Sequence, residues 1–294
     1  MSTHLYAPGR LRITPQTVDG LDEHVIPLGY TDAGLATVDL DLDPHVLVSG
    51  APTSGKTAIA RGLTAYLLAH GWSAVITGRA VRTTFGSLQG WVNAHVREPE
   101  QAEAEDLRTL VRAEVMRRLE IMRAAPAEQR ELIQYAPRNY FRPLVVVEDA
   151  ATPVSTEGLA SYCGAVAVHV VRVAASLSHV ENGDQARQFF TTRIIAARPG
   201  ATIEPECWAE VFGGERTEPA RTGPHVSIAG ERIAPRPLEP ICCDQVDLEC
   251  CAHAGARRAV AADGDRAMRL ADALGTRPGA VLPAPSWLLR GGEV

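Results

Sequence analysis

The run Gly50-Ala51-Pro52-Thr53-Ser54-Gly55-Lys56-Thr57 constrains this chain more than any other stretch. It satisfies G-x-x-x-x-G-K-[ST] at every fixed position. Before it, His45–Ser49 is a short apolar run of buried-strand type. After it, Ala58–His70 has helical spacing, with Ile59, Leu63, Tyr66 and Leu67 on one face. Strand, loop and helix in that order are the setting in which such a loop holds phosphate. Glycines let backbone N–H groups close around phosphate oxygens, and the helix start adds its positive dipole end. Lys56 is expected to reach the β- and γ-phosphates of ATP, and Thr57 to offer its hydroxyl to Mg²⁺. The nucleotide-binding set is Gly50, Ala51, Pro52, Thr53, Ser54, Gly55, Lys56, Thr57 and the following Ala58. Lys56 is the only lysine in the chain; every other basic side chain is arginine. A flexible ammonium stands where a planar fork would fit poorly.

At 294 residues the chain can form one large α/β domain or two small ones. Aromatics make up only 5%, so a core drawn from the 46% apolar content is mostly Ala, Val, Leu and Ile. The net charge of −6 argues against a uniformly basic nucleic-acid coat but leaves room for a local basic channel. The six cysteines include the adjacent pairs Cys242-Cys243 and Cys250-Cys251. Adjacent cysteines lack the C-x-x-C spacing of zinc sites, even with His253 nearby, and read as thiols of a reduced, cytoplasmic protein. The first residues carry no apolar leader core, and no run of 18 or more apolar residues suggests a membrane segment.

Along the chain, residues 1–24 read as an arm. Val25–Gly29 and the alternating Leu35–Leu42 flank the turn Thr31-Asp32-Ala33-Gly34 and form a hairpin leading into the loop strand. Ser73–Thr77 is a short strand and Gly78–Gly90 a polar connection. Pro99 to about Ala125 is a long helix, acidic early and basic late, as the macrodipole favours. Leu144-Val145-Val146-Val147-Glu148-Asp149 is a buried strand ending in acids, the pattern of a Walker B strand. Gly164–Ala175 and Thr191–Ala197 are further strands, and Glu204–Phe212 a helix. His225–Ile228 and Arg232–Ile241 are late strands, Asp244–Leu274 an Ala/Arg-rich helix, and the last residues irregular.

This order of parts resembles the motor domain of the FtsK/SpoIIIE (FtsK–HerA) group of P-loop ATPases. The likeness runs through Ile26-Pro-Leu-Gly29, the stretch Asp41–Gly50 leading to the loop, and the long helix with Met116–Met122 before the Walker B strand. It continues through Ala167–Val171 and Thr192–Ala196, covering residues 25–241. The expected architecture is α/β: a RecA-like P-loop NTPase core with a mostly parallel central sheet flanked by helices, preceded by an N-terminal β-hairpin. The domain plan is an arm at 1–24, the ATPase domain at 25–241 and a helical and irregular tail at 242–294.

The resemblance implies an ATPase that pumps double-stranded DNA without regard to sequence, as a homo-oligomeric hexameric ring with sites at subunit interfaces. A compact member from an actinobacterial-type mobile element or phage, with no membrane segment of its own, is the expectation. By position, Glu148 takes the Mg²⁺ role together with Thr57, and Asp149 orients water; the family order is Asp-Glu, so the acids are reversed here. Lys56, Glu148 and Asp149 are the implied catalytic residues. Arg193 and Arg198 are candidates for the arginine offered to a neighbouring subunit. The sensor strand ends in Ala174-Ala175-Ser176 rather than the family's Thr-Gln. Arg79–Arg82 and the loop after Val173 are candidate channel segments. Two other readings stand beside the DNA motor: a type VII-like protein-export ATPase, and a nucleotide-binding assembly subunit with weak or no hydrolysis. A small-molecule kinase fits less well, since no phosphoacceptor pocket or Arg-rich lid can be picked out.

Overall fold

A computed structural model describes residues 20, 22–78, 81–89, 91, 93–97, 101–149, 163–175, 188–213, 221–228, 235–240 and 245–285. Arg79, Ser176, Cys242 and Cys243 therefore lie outside the described residues, as does most of the arm.

The chain enters through a hairpin, β1 (Val25–Thr31) and β2 (Gly34–Asp39). Its turn is tied by the Thr31 hydroxyl, which donates to the Gly34 carbonyl and accepts from the Ala33 N–H. Strand β2 stops short of the expected Leu42 because the Asp39 carboxylate accepts the Asp41 N–H and turns the backbone. Leu42, expected to share a face with Val38 and Leu40, is consequently 79% exposed.

The central sheet has eight strands: β3 (His45–Ser49), β4 (Ser73–Gly78), β5 (Ala94–Arg97), β6 (Leu144–Asp149), β7 (Val168–Ala174), β8 (Thr192–Ile195), β11 (His225–Ser227) and β12 (Arg236–Pro237). Their spatial order is β12-β11-β8-β3-β7-β6-β4-β5. The run from β8 to β5 is parallel, and β11 and β12 close the edge antiparallel. Parallel strands buried on both faces read as continuous apolar runs, which is why β3, β6 and β7 were legible. Strand β7 lies between the P-loop strand β3 and the Walker B strand β6. This is the expected mixed α/β architecture of a RecA-like P-loop NTPase core, with the hairpin in front.

Helix α1 (Lys56–Ala69) packs on one face of the sheet, burying Ile59, Leu63, Tyr66 and Leu67 against Val46, Val48, Val145, Val147, Val171 and Val173. Helix α2 (Gln101–Ala124) covers the other face, where Val111, Val115 and Leu119 meet Val75, Leu144, Val146 and Val168. The intervening α3 (Ala127–Tyr135) and β5 were not foreseen. Only one side chain of α3, Ile133, is buried, so its apolar periodicity is weak. Near the other edge, α4 (Pro205–Phe212) buries Trp208 and Val211 against Leu47, Val170 and Ile195; beside it β9 (Thr202–Ile203) and β10 (Arg221–Thr222) form a small ladder.

Two segments differ from their sequence reading for stated reasons. Arg232–Ile241, expected as one strand, is split into β12 and β13 (Glu239–Pro240), which join different sheets. Pro237 and Pro240 have no N–H to give a ladder, and buried Leu238 marks the switch, donating its N–H to the Pro224 carbonyl at 2.8 Å. Strand β7 begins only at Val168, after a 3₁₀ turn at Gly164–Val166 and Ala167 at φ 54°.

The long helix α5 (Gln245–Leu274) lies across α1. A Cβ on Gly255 would overlap the Leu68 carbonyl, so glycine sets the crossing distance. Arg258 donates to the Ala69 carbonyl, and Arg142 is paired with Asp263. The helical part of the tail thus seats on the P-loop helix. Among the described residues, no helix is long and apolar enough to cross a membrane.

Candidate nucleotide site

The loop between β3 and α1 has the backbone a phosphate cradle needs. Gly50 lies at φ 146°, and a Cβ there would collide with the Ala196 carbonyl. Gly55 lies at φ 100° and caps α1 without any side-chain bond. Thr53 is a non-glycine residue at φ 63°, a conformation that tight anion-binding turns use at some cost. The first turn of α1 contains no acid, so its positive end is left for an incoming anion. Residues Ala51–Thr53 are exposed, and Lys56 and Thr57 are half-buried at the helix start. The Lys56 ammonium donates to the Ala51 carbonyl at 2.8 Å, lying back across its own loop. These residues fit a polyphosphate: the motif residues expected from the sequence come together in one cradle, with Lys56 ready to exchange a carbonyl for a phosphate oxygen.

Arg198, on the loop after β8, reaches the same cradle. Its guanidinium donates to the Thr53 hydroxyl at 2.9 Å and to the Thr53 carbonyl at 3.3 Å. Arg193 points elsewhere: it is partly buried and donates to the Val211 carbonyl of α4 at 2.8 Å. Two cavities adjoin the loop. One, of about 580 Å³, is lined by Ser54, Gly55, Ala58, Ile59, Arg198, Pro224, Leu238 and Pro240. The other, of about 310 Å³, lies between Gly50–Ser54 and Ile195–Ala197, Ile203 and Cys207. Both fall in the size range of small-molecule sites. The larger one continues from the helix start along a mostly apolar wall that includes Ile59, Pro224, Leu238 and Pro240.

Strand β6, expected from the sequence to be a Walker B strand, is built differently. In β6 the side chains alternate: Val145 and Val147 face α1, whereas Leu144 and Val146 face α2. Glu148 follows Leu144 and Val146. It is 1% exposed, and its Oε2 accepts from Arg172 Nη2 at 2.7 Å and Nε at 3.1 Å. Arg172 is the register partner of Glu148 on β7, equally buried, and its guanidinium lies 5.8 Å from the Phe190 ring centre. Burial, with the Glu148 carboxylate adding to it, pushes the nearby Cys163 thiol up to about 12, leaving it unreactive. Asp149 ends the strand, in register with Gly78 and Val173.

Sequence reasoning missed Arg172. The signal was available as one arginine inside the apolar run Val168–Ala174, downstream of a buried strand that ends in two acids. A second buried pair on the same face was also missed. Glu114 of α2 accepts from Arg117 and from fully buried Arg118, and Arg118 also donates to the Val166 and Ala167 carbonyls. It thereby fixes the bend that starts β7.

No family model matches the chain, and no curated protein matches it. Solved structures do. The conjugation coupling protein TcpA of pCW3, in its monomer form with ATPγS, superposes with a TM-score of 0.66 at 18% identity, over 86% of this chain and 76% of that one. EssC (ATPases 2 and 3) from Geobacillus thermodenitrificans gives 0.60 at 12% identity, over 89% of this chain. The cytoplasmic domain of the type VII secretion ATPase EccC from Thermomonospora curvata gives 0.58 at 15% identity, over 82% of this chain. This chain spans only 52% of that EssC chain and 30% of that EccC chain. At these identities the likeness shows the fold alone, which this chain shares with these ATPase structures.

Proposed function

We propose that this chain is an ATP- and Mg²⁺-binding subunit of an FtsK–HerA-type assembly, in which nucleotide occupancy governs engagement of a polymer and turnover by the chain alone is weak. The observation that carries this reading is the asymmetry of the site. The cradle Gly50–Thr57 has phosphate-binding geometry with Lys56 at hand, whereas Glu148 is held by Arg172. Binding parts are in place, and one of the two acids expected to drive hydrolysis is engaged elsewhere.

Two motor readings remain as rivals, each with its own support. Likeness over most of the chain of a conjugation coupling protein supports the reading as a motor that pumps double-stranded DNA. Likeness to EccC favours protein export. In either motor, Arg198 is the better candidate for contact with nucleotide, because it already reaches the cradle of its own chain.

The test is ATP binding and hydrolysis with and without double-stranded DNA. Saturable Mg²⁺–ATP binding that weakens at least tenfold on Lys56→Ala, with turnover that DNA leaves unchanged, is the expected result. Turnover stimulated tenfold or more by DNA would replace this reading with the DNA motor.

A further inference from the structure

Strand parity separates the two acids that end β6. The sheet face toward α1 carries Val145 and Val147 of β6, Val171 and Val173 of β7, and Val46 and Val48 of β3. Thr57, in the first turn of α1, belongs to that side. Glu148 has the opposite parity, follows Leu144 and Val146 on the α2 side, and is ion-paired there with Arg172. A carboxylate so buried, sharing one oxygen between two guanidinium nitrogens, does not fit a Mg²⁺ ligand. Moving it to the cradle would strip Arg172 of its counter-charge inside the protein, a loss of the kind that strongly destabilises buried pairs. Position 149 has the parity of the α1 side, and its register partner Val173 lies in that cluster.

Resting on the nucleotide-binding reading above, we propose that the acids are shifted by one position rather than reversed: Asp149 is the metal-side acid, and Glu148 is a structural partner of Arg172. In the sequence, Ala150 then stands where the Asp-Glu pattern of the resembled family has its second acid. A positioned general base contributes roughly 10²- to 10⁴-fold to such a step. Without it, hydrolysis is expected to be slow while binding stays intact.

The experiment measures affinity for ATPγS in Mg²⁺ and in EDTA, together with urea unfolding, for the full chain and three variants. Asp149→Asn is expected to remove most of the Mg²⁺-dependent gain in affinity, at least tenfold, while leaving binding in EDTA unchanged. Glu148→Gln is expected to keep the Mg²⁺-dependent gain within about twofold and to lower the unfolding midpoint. Where Glu148→Gln fails to fold, the paired variant Glu148→Met with Arg172→Met removes both charges together, and it too should retain the gain. A Mg²⁺-dependent gain lost in either Glu148 variant and kept in Asp149→Asn overturns the assignment. Wild type that binds no nucleotide in either condition would instead sink the functional reading, and this inference with it.

Discussion

The two faces of the central sheet handle charge in opposite ways. On the α1 face the buried side chains are almost all apolar, and the polar groups gather at the strand ends, where Lys56 and Thr57 are half-buried beside an exposed loop. On the α2 face, charges run deep: Glu148 with Arg172, and Glu114 with Arg118. A half-exposed lysine lying on its own loop carbonyl can change partners at small cost, because water shares the exchange. A buried pair cannot, because each ion depends on the other for the solvation it has lost. One face is therefore arranged for exchange of ligands and the other for permanence, although both belong to strands that meet at one site.

The sharpest way to break this comparison is to remove one partner of a buried pair. Arg172→Met leaves Glu148 uncompensated and is expected to cost about 3–5 kcal/mol; the double change Glu148→Met with Arg172→Met should recover most of that loss. Urea unfolding of both variants checks it, and a single change that costs under about 1 kcal/mol would place the pair among ordinary surface bridges.

Lys56→Ala should do the reverse. Stability stays within about 0.5 kcal/mol of wild type, while nucleotide affinity falls roughly tenfold to hundredfold. That corresponds to the about 1.5–3 kcal/mol of a hydrogen bond to a charged group. Equilibrium titration with ATPγS reads it.

A pH-dependent effect, small per pH unit, comes from His169. Its imidazole bonds the Pro44 carbonyl at 3.2 Å and lies 4.9 Å from the Trp72 ring centre, on the α1 face. Burial, reinforced by neighbouring His45, holds its pKa down at about 3. The folded state thus keeps this histidine neutral, while the unfolded chain takes up a proton below about pH 6.5. Its contribution is complete above pH 6.5 and is lost as pH falls toward 3, by at most about 1.4 kcal/mol per unit. His169→Gln should flatten the acid limb of the stability profile; an unchanged limb would show that other groups set it.

The smallest change is expected at Arg198. Its bonds to Thr53 are exposed, so Arg198→Ala should alter stability by less than about 0.5 kcal/mol. A severalfold change in ATPγS affinity without that stability change would mark it as a nucleotide contact in its own chain.

The contrast between the faces also explains what could be read from the sequence. The loop is local, eight consecutive residues at the junction of a strand and a helix, so its strand–loop–helix setting was legible. The apolar runs of β3, β6 and β7 were legible because parallel strands are buried on both sides. The Glu148–Arg172 pair spans 24 residues of chain and exists only through the register of β6 against β7. No spacing rule reports such a partner. The same holds for Arg198 on Thr53, 145 residues apart, and for the α1–α5 crossing fixed by Gly255. The sheet switch at Leu238 was missed although Arg232–Ile241 carries three prolines, Pro235, Pro237 and Pro240, which argue against one continuous strand.

Amide hydrogen exchange with and without Mg²⁺–ATPγS tests the central claim most directly, because it reports both faces at once. Bound nucleotide is predicted to slow exchange across Gly50–Ala60 and at Leu238–Glu239, beside the larger cavity, and to leave Val168–Arg172 within about twofold of its unliganded rate. No slowing at Gly50–Ala60, or a change centred on Val168–Ala174, would contradict an exchangeable cradle set against a fixed Glu148–Arg172 pair.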